Sequence, residues 1–216
     1  MLPSDERERE LLEAGYDCVI ALDEVGRGAI AGPVMVGAAV FDASLDASPE
    51  GIKDSKLVSE KKRPVVKESI EQWLEHWSVG SANAQEVDQS GITHCLGLAG
   101  VRAVATIAGA RDLSRAIILL DGQHDWLTPV LASPIPVVTQ VKADRDCLSV
   151  AASSLLAKVT RDELMIEADE EFPVYGFAGH KGYGSKAHFD AIQEHGPCSL
   201  HRVTWLKPST LPMSGS

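Results

Sequence analysis

An apolar run, Cys18-Val19-Ile20-Ala21-Leu22, leads straight into two adjacent carboxylates, Asp23 and Glu24, and then into the glycine-flanked arginine of Gly26-Arg27-Gly28. A run of that composition reads as a buried strand, so two acids stand at a strand end. Two carboxylates repel by about 4 kcal/mol at roughly 4 Å and an effective dielectric near 20. A hard divalent cation is the natural counter-charge. Gly26 and Gly28 let the main chain approach a ligand closely, and Arg27 offers a planar fork of donors suited to phosphate. An acid pair beside a phosphate clamp points to metal-dependent phosphoryl chemistry.

Residues 1–16 read as a short charged helix, followed by a first strand at about 17–23. After Pro33, the run Val34 to Phe41 reads as its hairpin partner. Residues 42–58 form a long loop containing Asp54-Ser55-Lys56. Ser59 reads as the N-cap of a basic amphipathic helix running to about Glu75. His76 to Ala84 then forms a third strand, and Ile92 to Ala110 an Ala- and Gly-rich helix packed closely on the sheet. Arg115 to Asp121 is a strand buried on both faces, and Ile135 to Val141 a second of the same kind. The prolines between them exclude a long connecting helix. Cys147 to Glu171 is a helix whose small residues lie tight on the sheet. A glycine-rich stretch around Lys181-Gly182-Tyr183-Gly184 precedes a last helix from Ser185 to His195, and 209–216 reads as a disordered end. The order of elements is that of a mixed α/β sheet covered by helices.

At 216 residues and 44% hydrophobic content, the chain can bury one sizeable core. The charged N-terminus and the lack of an apolar run near 18 residues exclude a signal peptide and a membrane span, which predicts a cytoplasmic protein. Cys18, Cys95, Cys147 and Cys198 lack disulfide or zinc spacing and read as reduced thiols. A net charge of −11 opposes nucleic-acid binding in general. Much of the acidity, however, falls in two blocks, 5–13 and 163–171, expected on solvated helix faces. Basic residues gather at Lys53, Lys56, Lys61, Lys62 and Arg63, and again at Lys181, Lys186, Arg202 and Lys207, leaving local patches for a polyanion.

Asp23-Glu24, Asp121 and Asp144 all stand at or just after the C-terminal end of an apolar strand, where ligands bind in open α/β sheets. Taken singly, each reads as readily as a cap or turn former. Together they predict one acidic centre for Mg²⁺ or Mn²⁺. Gly26-Arg27-Gly28 alone is equally a hairpin turn, and Lys181-Gly182-Tyr183-Gly184 equally a loop with an exposed aromatic, although that aromatic could stack on a sugar or base. Asp54-Ser55-Lys56 is most simply a turn whose lysine can reach a phosphate. The seven histidines, taken singly, read as surface or capping residues. No GxSxG elbow, Walker A loop or GxGxxG is present, so covalent nucleophilic and nucleotide-cofactor chemistry find no support.

With these residues laid out, the chain resembles bacterial ribonuclease HII over about residues 16–207. The resemblance rests on Asp23 to Gly28 followed by Ala31-Gly32-Pro33-Val34, on Asp54-Ser55-Lys56, Asp121-Gly122, Lys142-Ala143-Asp144, Ser149 to Asp162, and Lys181 to Gly184. It implies a ribonuclease H-like fold, a five-stranded mixed sheet flanked by helices with a C-terminal helical portion. It also implies metal ligation by Asp23, Glu24, Asp121 and Asp144, and hydrolysis assisted by two divalent ions, Mg²⁺ or Mn²⁺. Gly26, Arg27 and Gly28 would read the ribose 2′-hydroxyl and its phosphate, Tyr183 would pack on the neighbouring deoxyribose, and Lys56 and Lys181 would bind substrate. The substrates implied are RNA/DNA hybrids and duplex DNA carrying ribonucleotides, cut 5′ of the ribonucleotide to leave 5′-phosphate and 3′-hydroxyl ends. The implied organisation is a charged extension at 1–16, a catalytic domain at 17–170, a substrate-binding helical portion at 171–208 and a tail at 209–216, acting as a monomer. Val25, Gln123 and Ala143 depart from commoner Ala, Asn and Gly, and none removes a ligand. Two other readings compete: a non-cutting nucleic-acid binding module on the same fold, and a metal-dependent phosphoesterase of small substrates.

Overall fold

The computed structural model describes residues 2–52 and 58–212, so Lys53, Asp54, Ser55, Lys56 and Leu57, together with the last four residues of the expected tail, lie outside the described residues. Five strands form one mixed sheet in the order β3-β2-β1-β4-β5. Strand β1 (Cys18–Val25) is central, antiparallel to β2 (Val34–Phe41) and parallel to β4 (Ala116–Asp121). Beyond β2 lies antiparallel β3 (Trp77–Ala82), and beyond β4 lies parallel β5 (Val137–Gln140). The hairpin and the parallel crossover therefore share one strand, which is what makes the sheet mixed.

Alternation along β1 sends side chains to two cores. Ile20 and Leu22 pack with Ile118 and Leu120 against α4 (Ile92–Ala108). Val19 and Ala21 pack with Ile117 and Leu119 against α6 (Leu148–Glu171). Each fully buried Ile or Leu here contributes roughly 1.5–3 kcal/mol of transfer free energy. Helix α6 lies directly on the sheet: a Cβ at Gly37 of β2 would stand 2.1 Å from the Ser153 carbonyl oxygen. The small residues of 149–154 and a glycine on the facing strand are thus one device, and it brings the backbone of α6 to the strand beside Asp23.

Several expected elements differ in extent. Helix α1 is shorter than expected (Glu6–Glu13) and is anchored, because the buried Glu8 carboxylate accepts from both N–H and Oγ of Ser149 at the start of α6. The 5–13 block is therefore not wholly a solvated face. Ser59 makes no side-chain cap: a 3-10 turn at Glu60–Lys62 leads into α2 (Arg63–Trp73). Strand β5 is half-buried rather than fully buried, because it forms the sheet edge. A helix not foreseen, α3 (Ala84–Ser90), is opened by an Asn83–Glu86 capping box. The prolines after β4 allow only a 3-10 turn at Thr128–Val130.

Beyond α6, short helix α7 (Phe177–His180) and α8 (Lys186–His195) pack through Tyr175, Phe177 and Ile192 onto Met165 of α6 and onto Ile30 and Ala31. Residues 208–210 form a 3-10 turn rather than an unstructured end. The second basic cluster is only partly a surface patch: Lys186 and Lys207 are exposed, but Arg202 is fully buried and Lys181 nearly so. The four cysteines are free thiols, three of them buried. No helix of the described residues is long and apolar enough to cross a membrane.

Candidate active site

Parallel pairing of Leu22 with Leu120 sets Asp23 and Asp121 next to one another at the C-terminal edge of neighbouring strands, on the α6 face. Strand β5 ends beside them, Asp121 pairing with Gln140. Lys142, in the left-handed region at φ 62°, then turns the chain into the single-turn helix α5 (Ala143–Asp146). That turn directs the Asp144 N–H to Asp121 Oδ1 at 3.3 Å. Topology thus gathers carboxylates that are 121 positions apart in sequence at the extremes.

Asp23, Glu24, Asp121 and Asp144 line one cleft of about 290 Å³ together with Gly26, Arg27, Gly28, Ser154, Lys158 and Tyr183. Asp23 and Asp144 are each only 8% exposed. Burial, added to by repulsion from Asp121, Glu24 and Asp144, raises the Asp23 pKa well above the usual carboxylate range, against a partly offsetting hydrogen bond from Ser154. Burial raises Glu24 too, opposed by Arg27, whose Nη1 donates to Glu24 Oε1 at 3.3 Å. Asp121 is raised by burial and then by Asp144. Among the described residues no three His, Cys, Asp or Glu side chains stand ready-arranged as a metal cage. The chemistry of the donors nevertheless fits a hard divalent ion: four carboxylate groups share one small cleft, and burial there already works against the charge of Asp23, Glu24 and Asp121.

The glycine-arginine loop is held from behind by two buried guanidiniums. Arg202 donates to the carbonyl oxygens of Gly26 at 2.8 Å, Arg27 at 3.0 Å and Gly32 at 3.0 Å, while Arg161 of α6 donates to those of Pro33, Ala31 and Lys181 at 2.8 to 3.0 Å. With carbonyls drawn inward, the N–H groups of Arg27 and Gly28 make no hydrogen bond among the described residues and are left for a ligand. Gly26 sits at φ 78°, and a Cβ there would overlap Arg161 Nε at 2.2 Å, so only glycine fits. Burial, and for Arg202 the neighbouring Arg161, lowers both guanidinium pKa values, Arg202 to about 10, so both remain cationic at neutral pH. Neither has a carboxylate partner within ion-pair distance among the described residues. They place positive charge behind the acidic cleft in a chain of net charge −11.

The Tyr183 ring, 39% exposed, stands at the cleft wall with the Arg161 guanidinium 5.5 Å from its centre. Lys181 is not part of that wall: its ammonium is buried against Glu60 at 3.0 Å and the Ala178 carbonyl. Lys56 lies outside the described residues. Sequence reasoning missed Ser154 and Lys158, whose i, i+4 spacing on α6 puts both on the cleft side, as well as the support from Arg161 and Arg202. Lys158 pairs with Asp162. An arginine in a small-residue helix was the available signal for Arg161, and Arg202 gave none, being indistinguishable in sequence from a surface cation.

Comparison with known proteins agrees with this architecture. The family profile of Ribonuclease HII matches residues 20–207. The ribonuclease HII of Streptomyces avermitilis is 41% identical over 211 residues, covering 97% of this chain and 86% of that protein. The crystal structure of the ribonuclease H2 from Pyrococcus horikoshii superposes with a TM-score of 0.67 at 23% identity, over 87% of this chain and 93% of that one. A Bst-RNase HIII solved in complex with Mn²⁺ superposes equally well, at 0.67 and 19% identity, over 93% of this chain and 70% of that one. The last two share the fold. The profile and the close relative carry more: the chain belongs to the ribonuclease HII family, divalent-metal-dependent endoribonucleases that hydrolyse the RNA strand of RNA/DNA hybrids.

Proposed function

We propose that Asp23, Glu24, Asp121 and Asp144 hold the divalent ions, Mg²⁺ or Mn²⁺, and that the loop at 26–28 and Tyr183 select the phosphodiester to be cut. One observation carries this reading: a single cleft joins the four carboxylates, the glycine-arginine loop and the exposed tyrosine. When bound, the ions supply water activation and charge neutralisation at the reacting phosphate. The protein's own groups do the rest. The free N–H groups of Arg27 and Gly28 bind the ribose 2′-hydroxyl and the adjacent phosphate, with Arg27 offering its guanidinium to the same phosphate. Tyr183 packs on the next sugar, where a 2′-hydroxyl would crowd its ring, so the pair reads a ribose-to-deoxyribose junction and favours cleavage 5′ of a lone ribonucleotide. Ser154 orients Asp23, and Arg161 and Arg202 keep the reading loop in place.

In this reading residues 17–170 form the catalytic part and 171–208 carry the aromatic reader. Lys181 supports the loop from within, Lys56 has the role of binding substrate, and the chain acts as a cytoplasmic monomer. The test is digestion of an end-labelled duplex with a single embedded ribonucleotide, alongside a continuous hybrid, with each metal in turn. Cleavage 5′ of the ribonucleotide is expected. A duplex left intact while the hybrid is cut would overturn junction reading. Activity on a generic phosphate monoester would return the chain to the small phosphoesterases.

A further inference from the structure

Three histidines, scattered in sequence, meet behind the tyrosine loop. His188 of α8 is fully buried and His201 nearly so, at 2% exposure. Their hydrogen bonds determine which nitrogen of each ring carries its proton. His188 Nδ1 lies 2.9 Å from the Tyr183 carbonyl oxygen, which can only accept, so Nδ1 is the donor and Nε2 is bare. His201 Nδ1 accepts the Cys198 N–H at 2.9 Å, so it is bare and Nε2 carries the proton. The 3.0 Å contact between His201 Nε2 and His188 Nε2 is then a hydrogen bond in one direction only. One chain of donors runs from Cys198 through His201 and His188 to the peptide of Tyr183. His180 stacks on His188 with ring centres 4.2 Å apart, donates to the Tyr175 carbonyl and accepts from the Gly182 N–H.

The backbone polar groups of the loop can be accounted for one by one. The Lys181 carbonyl accepts from Arg161, and the Gly182 carbonyl from the N–H groups of Ile30 and Ala31. The Tyr183 N–H donates to the His180 carbonyl. The Tyr183 carbonyl is held by His188. Ile30 and Ala31 follow the glycine-arginine loop directly, so the two reading loops hang on one scaffold, and the histidine chain is the tether that ends at the aromatic residue itself.

We propose that His188, oriented by His201, is a positioning residue for Tyr183, setting where its ring stands in the cleft and so the preference for a ribose-to-deoxyribose junction over a continuous hybrid. This rests on the reading of Tyr183 given above. An asparagine at 188 places an amide N–H near the Nδ1 position and keeps the bond to Tyr183, whereas a glutamine reaches past it. At 201 the logic reverses: glutamine keeps the donor toward His188 and asparagine loses it.

The measurement is the ratio of kcat/KM on a single-ribonucleotide duplex to that on a hybrid, for the full chain and its variants, with thermal midpoints recorded beside it. His188→Gln and His201→Asn each lower the ratio about fivefold, the loss of one hydrogen bond, with hybrid kinetics unchanged. His188→Asn and His201→Gln stay within about twofold of the unmodified protein, a rescue that general loss of packing would not give. Tyr183→Ala is the control: if its ratio is unaltered, the reading beneath the proposal fails. If Tyr183→Ala lowers the ratio while His188→Gln and His201→Asn do not, the tether is wrong. Equal losses in His188→Asn and His188→Gln also overturn it. Should either 188 variant not fold, the 201 pair decides by the same criterion.

Discussion

Arg202 Nη2 donates to the carbonyl oxygen of Gly26 at 2.8 Å, across 176 positions of sequence. The same guanidinium holds Arg27 and Gly32, so the loop that lines the acidic cleft is shaped from the far end of the chain. Arg202→Lys keeps the charge and loses the fork. Buried hydrogen bonds to charged groups are worth about 1.5–3 kcal/mol, so kcat/KM on a hybrid should fall by about tenfold or more. Arg102→Lys, at an exposed pair with Glu86, should change little. Equal activity of Arg202→Lys and the unmodified protein would show that the loop holds its shape unaided.

Asp121→Asn should abolish cleavage while leaving hybrid binding nearly intact, because the carboxylate is assigned to metal rather than to substrate. Binding measured by anisotropy, separately from rate, is the check. Undiminished cleavage would remove Asp121 from the site.

Divalent ions should raise the thermal midpoint. Binding at 100 times the dissociation constant adds about 2.7 kcal/mol, or roughly 5–10 °C for a chain of this size. Asp23→Asn should lose most of that gain with both Mg²⁺ and Mn²⁺. A midpoint indifferent to both ions in the unmodified protein would contradict the metal assignment.

Glu8 joins α1 to the start of α6 through Ser149 N–H at 2.7 Å and Oγ at 2.6 Å. Glu8→Ala removes a helix-capping acceptor and should cost about 1–2 kcal/mol of stability, read by urea unfolding. A null result would mean that α1 is an appendage with no hold on α6.

Burial, reinforced by His180 and His201, lowers the His188 pKa from 6.5 to about 4. Above pH 6.5 neither folded nor unfolded chain binds that proton, and the stability is complete. As pH falls from 6.5 through 4, the unfolded chain takes up a proton that the folded one refuses, and up to about 3 kcal/mol is lost. The stability advantage of the unmodified protein over His188→Asn should therefore narrow between pH 7 and pH 4.5. An advantage independent of pH would mean that the folded protein carries His188 charged.

The strand ending in Asp23-Glu24, the buried strand ending in Asp121, and the tight helix at 148–171 were legible in sequence because each is local. An apolar run and a row of small residues state their environment without reference to the rest of the chain. The same holds for the glycine-arginine turn and for the family resemblance, which is itself a string of local matches. What sequence could not decide was any property set by which elements meet. Strand β5 reads as apolar yet lies at the sheet edge, and Glu8 sits in an acidic block yet is buried under α6. Lys181 and Arg202 count as basic residues yet face inward to carbonyl oxygens, and the histidines have no ligand spacing yet close a hydrogen-bonded chain. A buried cation and a solvated one differ only in whether distant backbone acceptors are brought to it, and that is decided by tertiary packing alone.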